Sequence, residues 1–151
     1  MQLPFDAVQL RFLKSLGEAL FDDFEEMAIS VDEVVDNIQQ FFGMLGGTKA
    51  EEISWSLRIA ELAMAPLFHE LSLEHRKDRI KSRMRDSQFD AFQDMAKLRS
   101  ILYFGYYGHW IDPVGHHAED GGQDANRDNP VLRQIGFTLP KFRARGPAKC
   151  R

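Results

Sequence analysis

An all-α, single-domain bundle of about five helices is the fold class this chain predicts, and three observations predict it. Residues able to cap a helix stand five times ahead of apolar residues spaced three and four apart. No segment of useful length alternates with the period of a strand. The chain has 151 residues, 44% of them hydrophobic and 12 of them Phe, enough for one real core.

The first helix is predicted from Asp6, which forms a capping box with Gln9 ahead of Val8, Leu10, Phe12, Leu13, Leu16 and Leu20. Pro4 precedes it, where it removes no helical hydrogen bond. Ser30 and Glu33 form a second box, opening a helix whose stripe is Val34, Val35, Ile38, Phe41, Phe42 and Leu45. Gly46 and Gly47 stop that helix, because glycine takes the left-handed conformation without steric cost. Thr48 and Glu51 suggest a third box ahead of Ile53, Leu57, Ala60, Met64 and Leu67, with Pro66 kinking or ending this helix. Ser72 opens a fourth helix with Leu73, Ile80 and Met84 among six basic residues, read as a solvated face that pairs with the acidic N-terminal half. Ser87 starts a fifth, with Phe89, Phe92, Met95, Leu98, Ile101 and Leu102 on its apolar side.

Beyond His109 the periodicity stops. Gly115, Gly121, Gly122 and several Asp and Asn residues mark a long irregular loop, which in a compact domain is functional or disordered. Asn129 and Pro130 then suit the start of a short final helix, VLRQI, closed by Gly136. The domain is read as residues 1–140, followed by a basic tail, 141–151.

Charge follows a gradient along the chain. Residues 1–70 carry four basic groups against thirteen acidic ones, whereas the last eleven residues carry five basic groups and no acid. The tail reads as a solvated terminus, with an arm docking on an acidic partner as the alternative. Nucleic acid is not an expected partner, because the acidic body repels phosphate.

No apolar run approaches the roughly 20 residues that span a bilayer, so direct membrane insertion is not expected. The N-terminus shows neither a secretory nor a twin-arginine signal. Cys150 is the single cysteine, which excludes an internal disulfide and a cysteine metal site. A cytoplasmic location is expected, with a periplasmic one, as a mature chain or carried with a partner, as the alternative.

The most telling segment runs from Lys97 to Phe137. Tyr103, Phe104, Tyr106, Tyr107 and Trp110 place five large rings within eight residues, interrupted by Gly105 and Gly108. The run reads as too glycine-rich for a helix interior and too aromatic for a solvated end. Five rings cannot all point one way on a helix, and the surplus predicts a partner surface.

Enzyme signatures are missing. There is no GxGxxG after a strand, no phosphate-binding Walker loop, no GxSxG and no HExxH. His109, Asp112, His116, His117, Glu119 and Asp120 could supply imidazole and carboxylate ligands, but their loop spacing does not preform a metal site. His69 and His75 read as a cap or surface pair, and Trp55 as a residue at the edge of the core.

Three segments carry a resemblance: FHELSLEHRKDRI at 68–80, FDAFQDMAKLRSILYFGYYG at 89–108 and NPVLRQIGF at 129–137. Together they resemble the gluconate 2-dehydrogenase subunit 3 family, over roughly residues 5–140. Tyr106, Tyr107 and Gly108 match the family's tyrosine–glycine turn; Asn129, Pro130, Gly136 and Phe137 match its closing motif.

The resemblance implies a non-catalytic small, or gamma, subunit in a hetero-oligomer. Its partner would be a large flavoprotein of the glucose–methanol–choline (GMC) type that oxidises sugars or alcohols. FAD is expected in that partner and no cofactor in this chain. Tyr103, Phe104, Tyr106, Tyr107, Trp110, Asn129, Pro130, Arg133 and Phe137 are the expected partner-binding residues. Two alternatives stand beside it: a stand-alone metal protein or enzyme using the His109, His116 and His117 loop, and a regulatory adaptor docking through its basic tail.

Overall fold

The computed structural model describes residues 4–86 and 90–107, and within them the protein is all-α. Helix α1 spans Ala7–Phe21, α2 Val31–Leu45, α3 Gly47–Met64, α4 Leu73–Arg85 and α5 Phe92–Tyr107, with a 3₁₀ turn at Phe68–Glu70. The long loop, the short final helix and the tail expected beyond Gly108 lie outside the described residues.

Two capping boxes form as the sequence predicts. Asp6 accepts from the Gln9 amide at 2.9 Å while the Gln9 side chain accepts from the Asp6 amide at 2.8 Å. Gln9 does more than cap: buried to 3% exposure, it donates to the Ser54 carbonyl and hydroxyl at 3.1 and 2.7 Å, tying α1 to α3. Ser30 and Glu33 make the second box, with bonds of 3.2 and 2.8 Å.

The Thr48–Glu51 box is absent, which corrects the expectation. Helix α3 starts two residues earlier, from Gly46 as its N-cap, with no side-chain cap. Gly46 and Gly47 have φ of +60° and +55°, so α2 turns into α3 with no intervening loop. An added Cβ would meet nothing within 4 Å at either glycine, so the constraint there is conformational, not spatial.

Four helices enclose one core. Leu13 of α1, Val34 and Ile38 of α2, Leu57, Ala60 and Met64 of α3, and Leu98 and Leu102 of α5 are fully buried. Val8, Leu45, Leu67 and Phe92, expected on apolar stripes, are instead exposed near helix ends, where the neighbouring helices no longer cover them.

The tightest approach joins α2 and α5. A Cβ on Gly105 would lie 2.6 Å from Ile38 Cγ1 and 2.8 Å from the Val34 carbonyl oxygen. The Asn37 side-chain amide then donates to the Gly105 carbonyl at 3.1 Å. Glycine therefore belongs inside this helix, contrary to the sequence expectation, because it is the surface on which α2 lies.

Helix α4 buries no residue fully: Ile80 and Met84 pack against the core at partial burial, and charged contacts fasten it further. Its Ser72 cap is present, shared with the His75 ring at 3.0 Å. Arg76 donates to Glu18 of α1 at 2.6 Å and to the carbonyls of His69 and Leu71. Arg79 caps the end of α3, donating to the carbonyls of Met64 and Pro66 at 2.8 Å each. Lys77 bridges Asp22 and Asp23 at 2.9 and 2.7 Å. The pairing of the basic face with the acidic N-terminal half is thus present at Arg76 and Lys77.

Two outcomes follow from these contacts. Helix propensity alone would make Gly105→Ala stabilising by up to about 1 kcal/mol. Overpacking against a backbone oxygen costs about 1–3 kcal/mol and wins. Urea unfolding should show a net loss of about 1–2 kcal/mol.

The second outcome concerns pH. The hydrogen bond from Lys77 holds the Asp23 carboxyl below its ordinary 3.8, and that from Lys97 holds Glu52 below 4.5. The same bond, which Lys77 donates to Asp23, in turn raises Lys77 above 10.5. Groups with depressed folded values stabilise above their unfolded values and lose that contribution as pH falls through the folded ones; a raised lysine loses its contribution only on the alkaline side. Lys77→Ala should therefore show a smaller drop in urea midpoint than the parent between about pH 6 and about pH 3. High salt should narrow the difference, since the Asp23 carboxylate faces solvent.

Candidate partner-binding site

Successive residues on a helix step by about 100°, so the aromatic run at the end of α5 is divided among several directions. Gly105 faces α2, and the rings are arrayed around it. Tyr106, 3% exposed, packs 5.3 Å from Phe21 and 5.7 Å from Phe24, and its hydroxyl accepts from the Ala28 amide at 3.1 Å. Tyr103 stands edge-on to Phe21 at 5.7 Å, with the Arg99 guanidinium 5.8 Å over its ring. Phe104 goes the other way, 4.6 Å from Phe41, which leads through Phe42 to Phe5. Tyr107 lies against Tyr106 at 5.0 Å with 38% of its surface exposed.

Of the nine expected partner-binding residues, the structure describes these four and separates them. Tyr106 is corrected from surface to core: its ring closes the gap between α5 and the connection after α1, and its hydroxyl satisfies a backbone amide there. Tyr103 and Phe104 are half-buried against this chain's own rings. Tyr107 alone of the four is exposed. Trp110, Asn129, Pro130, Arg133 and Phe137 lie outside the described residues, as do the loop with His109, His116 and His117 and the basic tail.

Trp55 departs furthest from expectation. It is 64% exposed, not a core-edge residue, and it borders an open groove with Pro4, Phe42, Gly43 and Ser54. Helical geometry held the signal. Trp55 lies about 160° around the helix from Leu57, whereas Ser56, next in sequence, turns inward and is buried. Leu62, two turns beyond Trp55, is 77% exposed.

Among the described residues, no three of His, Cys, Asp or Glu come together as a possible metal-ligand set. His75 takes part in a helix cap, and His69 sits 3.6 Å from Glu70. No helix among the described residues is long and apolar enough to cross a membrane. Comparison with protein-family models finds no match, and neither the curated proteins nor the solved structures yield one.

The division between core and surface rings can be measured. Tyr106→Phe should lose about 1 kcal/mol by leaving the Ala28 amide without its acceptor. Tyr106→Ala should lose about 3–5 kcal/mol through the cavity it opens. Tyr107→Ala should stay within about 1 kcal/mol of the parent in the same urea titration.

Proposed function

We propose that this chain is a non-catalytic small subunit that binds and stabilises a FAD-dependent GMC-type oxidoreductase acting on sugars or alcohols. The observation that carries this reading is the family-like segment at 89–108. It ends in a helix whose Tyr106 locks into the core while Tyr107 stays exposed beside it. The segments at 68–80 and 129–137 support the same resemblance, and the helical build is consistent with it.

In this reading the partner holds FAD and performs the oxidation, and the small subunit contributes surface only. Exposed aromatic side chains suit that role, because Tyr and Trp supply large contact area with few rotatable bonds. Tyr107 is then a contact residue, while Tyr106 supports it from below through ring packing at 5.0 Å.

Co-expression with the neighbouring gene tests the proposal. A tagged chain should retain a flavin-yellow protein of the GMC type, and Tyr107→Ala should lower the retained flavin several-fold while leaving helicity unchanged. A chain that folds yet never retains a flavoprotein would sink the reading. Equal loss of helicity and of flavin would place Tyr107 in the fold instead of the interface.

A further inference from the structure

The outer face of α3 carries apolar residues that nothing among the described residues covers. Trp55 and Leu62 lie on one face of the helix, separated by two turns. Met44 and Leu45, both exposed, stand just across the Gly46–Gly47 corner at the end of α2.

Charge decides what fits it. Glu51 lies four residues before Trp55 and Arg58 three residues after, and both border the groove beside the indole. Neither has an ion-pair partner among the described residues, although neighbouring Glu52 is engaged by both Lys49 and Lys97. Glu51 and Arg58 do not reach each other, being two turns, roughly 10 Å, apart along the helix.

An acid and a base set almost evenly about an exposed indole make a surface complementary to itself. When two α3 helices cross antiparallel with Trp55 near the two-fold axis, Glu51 of each copy falls opposite Arg58 of the other. Leu62 of each then approaches the Met44–Leu45 corner of the other, and each indole meets the facing groove. Isologous contact requires this reciprocity, in which one patch serves both sides.

We infer that a second copy of this chain binds across α3, with Trp55 as the central anchor and reciprocal Glu51–Arg58 pairs fixing an antiparallel register. The inference stands apart from the flavoprotein reading and is tested with this chain alone.

Sedimentation equilibrium of the full chain over a wide concentration range should show a reversible dimer. Trp55→Ala should weaken it about thirtyfold or more, as truncation of a central aromatic anchor does. Glu51→Arg and Arg58→Glu should each weaken it about tenfold by setting like charges against each other. The double swap, E51R with R58E, remakes both pairs with signs reversed and should recover affinity to within about threefold of the parent. Unchanged circular dichroism in the swap would show that the fold is intact.

A monomer at every concentration would overturn the inference, as would a dimer indifferent to all three single changes or a swap no better than its parts. Acrylamide quenching in a Trp110→Phe background, where Trp55 is the remaining indole, identifies the other occupant. A shielded Trp55 in a monomer would mean that another part of this chain covers the stripe, and would also overturn it.

Discussion

Helices α2 and α5 meet so closely at Gly105 that a single added carbon would strike both an isoleucine side chain and a backbone carbonyl. The rest of the structure follows from that contact. With glycine turned toward α2, the residues on either side of it are carried to other directions: Phe104 to Phe41, and Tyr106 to Phe21 and Phe24. The Tyr106 hydroxyl then reaches the Ala28 amide, so the α5 aromatics also hold the connection that leads into α2. One close approach thereby orders the core and decides which ring is left at the surface.

A different force holds the other side of the molecule. Helix α4 has no fully buried side chain, and Arg76, Lys77 and Arg79 fasten it to α1, to the end of α3 and to the segment between. Arginine suits this work because its planar fork donates in several directions at once. Arg76 does so to one carboxylate and to two carbonyls of the connection before α4. Lys77, as little exposed as Arg76, adds pairs to Asp22 and to the open Asp23 carboxylate. With no residue fully buried, α4 should still be the least firmly held element of the bundle.

Besides Phe92 at the start of α5, the exposed aromatics among the described residues are Tyr107 at the end of that helix and Trp55 on the outer side of α3. These two differ in what surrounds them. Tyr107 continues a line of rings out of the core, and its setting suits a contact braced by the fold. Trp55 stands outside the buried stripe of its helix, between an acid and a base without partners among the described residues, and its setting suits a reciprocal contact. Assigning the two surfaces to two different partners uses each feature once.

Much of this fold was legible in the residues alone. Asp6–Gln9, Ser30–Glu33 and Ser72 announce helix starts because capping is local chemistry, completed within one turn. The buried stripes of α2 and α3 are legible for a similar reason: helical period turns spacing into direction. What the residues could not reveal is distance between helices. Gly105 reads as a helix breaker until α2 is seen lying on it, and Tyr106 reads as surplus surface until Phe21 and Ala28 are found around it. The same limit hid the second role of Gln9, whose amide reaches Ser54 from 45 positions away. Local pattern thus determined where the helices lie and which faces turn inward. Only tertiary packing decided which aromatics are core and which are surface, because burial depends on what arrives from elsewhere in the chain.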